Sequence, residues 1–193
     1  MSALRLAAAR GRDDVLRAMV HRGATLPSDG PDALLVACAL DDADTIVRLR
    51  ERAPLVDALR AHGAALLSAY AGVGNARGIA HLVALGIPVS QPLEADGYWG
   101  IARGATALHV AAWRHRPEAV RALLTLGADV HLRDDRGRTP LMEAVRACVA
   151  SYWQDRATPA VVELLLAAGA SPHEVTRPTG RDDVDHVLRA ARA

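Results

Sequence analysis

The sequence contains no lysine and no phenylalanine, and only 3% of its 193 residues are aromatic. All basic side chains are therefore arginine, and together with the acidic residues they leave a formal net charge of +1. Acidic and basic residues are interleaved along the chain, so it has no long-range field that would attract nucleic acid or an anionic membrane. We expect neither of these partners.

Long hydrophobic runs are also missing. No stretch approaches the roughly 18 uninterrupted apolar residues of a membrane span, and Arg5 and Arg10 interrupt the small apolar residues near the N-terminus. The chain therefore lacks the continuous apolar segment of a secretory signal. With 51% hydrophobic residues it is expected to fold, as a soluble cytoplasmic protein.

Cysteine is scarce, and histidine is scattered. Cys38 and Cys148 match no metal-ligand spacing and are too few for a disulfide framework, so we expect two reduced thiols. The eight histidines include no helical His-Glu-x-x-His pair, and no group of polar residues converges on a catalytic pattern. We predict no metal, no cofactor, no small-molecule substrate and no enzymatic activity.

Two similar segments lie 33 residues apart. Residues 106–112 are Thr-Ala-Leu-His-Val-Ala-Ala, and residues 139–144 are Thr-Pro-Leu-Met-Glu-Ala. Each is followed by an apolar run and then by a turn of small residues that begins at Gly127 or Gly169. Both segments match the signature of the ankyrin repeat. The chain therefore resembles the ankyrin-repeat family.

The leucine of this signature has a counterpart in three earlier segments, which gives five units anchored on Leu4, Leu34, Leu67, Leu108 and Leu141. In the first four units the closing turn falls 19 residues after the anchor, at Gly23, Ala53, Gly86 and Gly127. A glycine also lies four residues before the anchor at Gly30, Gly63, Gly104 and Gly137. A tight turn with a positive backbone φ is predicted at each of these four glycines.

The resemblance implies an all-α solenoid of stacked helix pairs joined by hairpin-like turns. The predicted repeats are approximately residues 2–26, 27–56, 57–89, 101–133 and 134–171, with insertions at about 90–100 and 148–157. Pro54 and the nearby arginines depart from the family pattern, so the second repeat is expected to pack less well. His109 is expected to bond the turn and the preceding threonine.

Residues 172–193 are predicted to cap the array. Within them an apolar stripe with helical spacing is formed by Val184, Val187, Leu188 and Ala191. The stripe indicates an amphipathic capping helix, and the sequence leaves open which helix position of a repeat it fills.

The resemblance implies that a partner binds the turn tips and the groove-facing side of the first helices. The two insertions carry most of the aromatic residues, and large aromatics and arginines are the usual interface anchors. The candidate binding residues are Tyr98, Trp99, Arg103, Trp113, Arg114, Arg136, Arg138, Arg146, Tyr152 and Trp153. Two roles remain open for the aromatic residues, which either contact the partner or hold their own loops on the solenoid.

The predicted function is that of a protein-protein interaction module, monomeric by itself, which recognises a partner through its concave groove and inserted loops. An alternative is a dedicated inhibitor or immunity protein that blocks a bacterial toxin or enzyme. A third hypothesis, an enzyme or ligand-binding protein with a pocket in the inserted loops, has less support because no polar groups converge there.

Overall fold

The computed structural model describes residues 2–94, 101–150 and 158–192. Apart from one short 3-10 turn at Pro172–Glu174, the regular structure in these segments is α-helical, without β-strands. No helix within them is long and apolar enough to cross a membrane. The helices are α1 (Ala3–Ala9), α2 (Asp13–His21), α3 (Gly30–Leu40), α4 (Ala43–Arg50), α5 (Ala53–Arg60), α6 (Gly63–Val73), α7 (Ala76–Ala84), α8 (Ala107–Trp113), α9 (Pro117–Thr125), α10 (Pro140–Ala150), α11 (Ala160–Ala167) and α12 (Asp182–Ala190).

Ten of these helices form five antiparallel pairs, one in each predicted unit, which confirms the all-α fold. The pairs are α1/α2, α3/α4, α6/α7, α8/α9 and α10/α11. In the first four pairs the turn between the helices contains one residue with positive φ, which lets the chain reverse at once. These residues are Gly11 (65°), Asp41 (62°), Gly74 (90°) and His115 (51°).

The last three pairs stack side by side. The first helices α6, α8 and α10 pack in one row, and the second helices α7, α9 and α11 pack in another. The anchor residues Leu67, Leu108 and Leu141 are almost fully buried between the layers. Between neighbouring units, the Nε of Arg116 donates a hydrogen bond to the carbonyl of Gly72 at 3.1 Å. This part of the chain is a linear array in which each unit rests on the next.

The first two pairs are arranged differently, around α3. Helices α1, α2, α4, α5 and α7 all pack on it, and its residues 33–39 are buried without interruption. A helix that is apolar on all sides is one that is surrounded on all sides. The N-terminal part is thus a bundle with α3 at its centre.

Helix α5 replaces the closing turn that the spacing predicts at Ala53, so that prediction is wrong. Pro54 occupies the first turn of α5, where proline is tolerated because its missing N–H would have no helical partner. Leu55, Val56 and Leu59 form the buried side of the helix. The residues that depart from the family pattern therefore build an additional helix between the second and third pairs.

The glycine that precedes each anchor has positive φ at Gly30 (84°), Gly104 (78°) and Gly137 (73°), as predicted. At Gly63 the prediction is wrong, because this residue is the first of α6 and lies outside the positive-φ region. Its lack of a side chain serves close packing instead. A Cβ there would lie 2.9 Å from Cγ2 of Ile87.

Helix α12 packs on α11 and covers the C-terminal end of the array. Val184 and Leu188 of the predicted stripe are fully buried, whereas Asp182, His186 and Arg189 are exposed. The Nη1 of Arg181 donates to the carbonyl of Cys148 at 3.2 Å, which joins the cap to α10. The outer side of the array is therefore polar, as a terminal unit requires.

Candidate functional site

A buried carboxylate lies at the centre of the predicted binding surface. Glu143, on α10, is 1% exposed, and its Oε1 lies 3.4 Å from Nη1 of Arg138. Its other oxygen forms an ion pair with Arg146, one turn later on the same helix. The corresponding position in the preceding unit, 33 residues earlier, is the buried Val110. The fifth unit therefore has an acid where the fourth has an apolar side chain.

Burial raises the pKa of Glu143, and the guanidinium groups of Arg146 and Arg138 oppose this shift. Removing a carboxylate from water is costly unless its oxygens are paired, and here both oxygens have an arginine partner. The arginine side chains are 28% and 30% exposed, so each reaches from the buried acid to the surface. Glu143 thus fixes the orientation of both cations.

Trp113 extends this group of side chains into the fourth unit. The guanidinium carbon of Arg146 lies 4.5 Å from the centroid of the indole ring, at a distance typical of a cation–π contact. Arg146 is therefore held on one side by Glu143 and on the other by Trp113. A side chain with so few remaining orientations loses little entropy when it binds a partner.

The ring of Trp113 is half-buried and packs on a small apolar cluster formed by Leu93, Ile101, Ala105 and Val110. Leu93 and Ile101 lie on either side of residues 95–100, the central part of the first predicted insertion. Two backbone hydrogen bonds also join the two sides, from Leu93 N–H to the Ala105 carbonyl (2.7 Å) and from Gly104 N–H to the Leu93 carbonyl (2.8 Å). These contacts favour the interpretation that Trp113 helps to hold the insertion on the solenoid.

Arg103 and Arg136 lie in the turns before α8 and α10, and both are exposed. Arg103 is within 3.5 Å of Glu94 and 4.0 Å of Asp135, in pairs that are open to water and therefore weak. The turn that carries Arg136 is shaped by Asp134, whose Oδ1 accepts the backbone N–H groups of Arg136 and Arg138 at 2.9 Å each. The guanidinium groups of Arg103 and Arg136 are accessible to a partner.

The structure brings together Arg138, Arg146 and Trp113, and it places Arg114 at the C-terminal end of α8, half-buried. The other four candidates, Tyr98, Trp99, Tyr152 and Trp153, lie outside the described residues. Glu143 was not among the candidates, since an acid on a helix is usually solvated. The 33-residue offset from Val110 is the one sequence signal that points to its burial.

His109 connects the fourth unit to this site, in the structural role expected for it. The backbone N–H of Thr106 donates to Nδ1 of His109 at 3.1 Å, so Nε2 carries the proton and donates to the carbonyl of Arg138 at 3.0 Å. Burial lowers the pKa of His109, which keeps the ring neutral. A neutral imidazole in this tautomer therefore fixes the backbone at Arg138.

Two overlapping matches to family models decide the family. A model of ankyrin repeats in many copies matches residues 102–144, and a model of the single ankyrin repeat matches residues 136–177. The chain is an ankyrin-repeat protein. Ankyrin repeats generally bind proteins and are typically not catalytic. In the described part of this ankyrin-repeat chain, no group of three or more His, Cys, Asp or Glu residues could hold a metal ion.

Several curated proteins are similar to one part of this ankyrin-repeat chain. Neurogenic locus notch homolog protein 1 of Homo sapiens is 45% identical over 51 residues, which are 26% of this chain and 2% of that protein. The same figures apply to the Neurogenic locus Notch protein of Drosophila melanogaster. NF-kappa-B inhibitor alpha of Homo sapiens is 39% identical over 72 residues, 35% of this chain and 23% of that protein. The chain thus spans a small part of each relative.

Proposed function

We propose that this ankyrin-repeat protein binds another protein through the first-helix side of its fourth and fifth units. The observation that carries the proposal is the row Trp113–Arg146–Glu143–Arg138, in which a buried acid and an indole ring hold two partly exposed arginines. Preorganised arginines next to an aromatic ring are typical of the residues that dominate binding energy at protein interfaces.

The charge of this surface favours an acidic partner. Arg103 and Arg136 contribute exposed guanidinium groups beside the two held arginines, while the acid at the centre is buried. Guanidinium groups bind carboxylates through two parallel hydrogen bonds, and complementary charge also accelerates association. The proposed partner surface presents two or more carboxylates around an apolar side chain that contacts Trp113.

The test is a comparison of variants in a capture experiment from the native lysate, followed by mass spectrometry. Wild-type protein, Arg136→Glu and a matched control, Arg121→Glu, serve as baits. Arg121 is an exposed arginine on the second helix α9, on the other side of the unit. We expect one protein to be retained by the wild type and the control and lost with Arg136→Glu. Equal retention by all three baits would contradict the proposed surface.

Inhibition of a partner is a second candidate. One relative carries inhibition in its name, NF-kappa-B inhibitor alpha, and its similarity to this chain covers 72 residues. We propose on this basis that binding at the same surface could block an enzyme or a toxin. Once a partner is captured, its activity at saturating concentrations of this protein decides between a scaffold, which leaves the activity unchanged, and an inhibitor, which abolishes it.

A further inference from the structure

A cleft of about 560 Å³ opens in the N-terminal part, far along the chain from the surface discussed above. It is lined by residues of α1, α3, α5 and α6 and by the short link between the last two helices. The cleft depends on α5, because this additional helix forms one of its walls. No feature of the repeat pattern predicts it.

The cleft is predominantly apolar. Leu35, Leu59 and Leu66 line it and are less than 9% exposed, so they form its floor. Alanines of α5 and α6, including Ala65, line the sides and leave room for a guest. Ligand sites in proteins are commonly apolar clefts of about 300–1,000 Å³ between helices, with a few charged groups that orient the ligand.

The helices around the cleft form a ring. Helix α1 packs on α3, α3 packs on α5, and α5 continues directly into α6. The ring closes where the turn after α1 meets α6, since a Cβ on Gly11 would lie only 3.0 Å from the Cα of Tyr70. A cup of this kind suits a small molecule that enters from one side, whereas a bound helix would need a trough open at both ends.

Charge is confined to one side of the cup. Arg5 and Arg10, both from α1, line it together with Asp32 of α3, while the α5 and α6 side offers apolar groups and His62. Arg5 and Asp32 are 3.4 Å apart, and their side chains are 51% and 39% exposed. Such an exposed pair is worth at most about 1 kcal/mol, so another anion can replace Asp32 as the partner of Arg5.

We propose that this cleft binds a single-chain amphiphile with an anionic head group. The apolar chain lies on Leu35, Leu59 and Leu66, and the head group pairs with Arg5 and Arg10. Carboxylate and phosphate heads share the chemistry that an arginine recognises. The site is separate from the proposed protein-binding surface, and the two proposals stand or fall independently.

The first test is calorimetric titration with four probes of equal chain length, each below its micelle concentration. The probes are decanoate, decyl phosphate, decyltrimethylammonium and decyl maltoside. We expect saturable binding of one equivalent for the two anions and affinities at least about tenfold weaker for the other two. The tighter of the two anions identifies the head group. Equal affinity for the cationic probe, or binding without saturation, would overturn the proposal.

The second test places the probe in the cleft. Ala65→Phe fills the cup and is expected to weaken decanoate binding at least about tenfold, and Arg5→Ala about fivefold. Ala18→Phe, at an exposed alanine on α2 outside the lining, serves as the matched control and should bind as the wild type does. Circular dichroism verifies that each variant is folded. Unchanged affinity in folded Ala65→Phe would overturn the proposal.

An independent measurement on the wild type covers the case in which Ala65→Phe does not fold. Amide chemical shifts recorded during titration with decanoate are expected to change between residues 58 and 69 and in α1. A second apolar depression, lined by Leu6, Val15 and Met19, lies on the α1/α2 side of the molecule. Shift changes centred there, with none in residues 58–69, would show that the probe binds elsewhere and would overturn the assignment.

Discussion

Gly11 lies directly against Tyr70, although the two residues belong to the first and third units. A Cβ on Gly11 would lie 2.7 Å from Cδ2 of Tyr70. Asn75 strengthens this junction, because its Nδ2 donates to the carbonyls of Gly11 (3.0 Å) and Ala39 (2.9 Å). The hydroxyl of Tyr70 donates to the Leu35 carbonyl at 3.3 Å. Three units therefore meet at one point.

Gly11→Ala is expected to lower the free energy of unfolding by about 2–4 kcal/mol, because it combines a strained backbone with a steric clash. The φ of Gly11 is +65°, and the ring of Tyr70 is fully buried and has little room to move. Urea denaturation measures the change. Gly23→Ala is the control, since Gly23 has a φ of +88° and no atom within 4 Å. It should cost about 1–2 kcal/mol, from the backbone alone. Equal losses would show that the contact with Tyr70 is loose.

Replacing Glu143 by the residue of the preceding unit, Glu143→Val, is expected to leave the free energy of unfolding within about 1 kcal/mol of wild type or to raise it. The reason is that a buried ion pair costs desolvation, and the partly exposed arginines can be hydrated when the acid is lost. Partner affinity should nevertheless fall, since Arg138 and Arg146 lose their fixed orientation. Urea denaturation and titration with the captured partner measure the two effects. A loss of several kcal/mol in stability would contradict a positioning role.

Trp113→Ala and Trp153→Ala are each expected to weaken partner binding by about 2 kcal/mol or more, as substitutions of interface anchors do. Trp113→Ala should also lower the melting temperature, because its ring packs on the apolar cluster and on Arg146. Affinity must be measured well below the melting temperature of each variant. A variant with lower melting temperature and unchanged affinity has lost a residue that only holds its loop.

Much of the helical array could be predicted from the sequence, because local rules determine it. The anchors Leu34, Leu67, Leu108 and Leu141 are all buried, and the closing glycines have the expected positive φ. Helix α5 could not be predicted, since Pro54 suits a turn and the first turn of a helix equally well. Packing on α3 decides between them. Contacts distant in sequence also bury Glu143 under Arg138.

The pH dependence of stability should reflect His109. Its folded pKa is lowered by burial below the ordinary value of 6.5, so on acidification the unfolded chain takes up the proton first. The contribution of neutral His109 is therefore complete above about pH 6.5 and declines as the pH falls toward the folded pKa. The free energy of unfolding should decrease by up to about 1.4 kcal/mol per pH unit in this window.

His109→Gln is expected to flatten this slope, because the glutamine cannot titrate but can still accept the Thr106 N–H bond. The remaining slope in this variant should have the same sign, since burial also lowers the pKa of His115. Urea denaturation in small pH steps measures both slopes. An identical slope in wild type and His109→Gln would show that His109 does not titrate differently on folding.

The position of α3 under five other helices has a mechanical consequence. Force applied between the two ends of the chain reaches the C-terminal pairs through single interfaces, so these pairs should detach one after another, beginning with α12 and α11. The helices around α3 share one support and should yield together. An optical trap would then record several small extensions followed by one large one. A partner bound to the fourth and fifth units would thus rest on the part of the molecule that yields first under load.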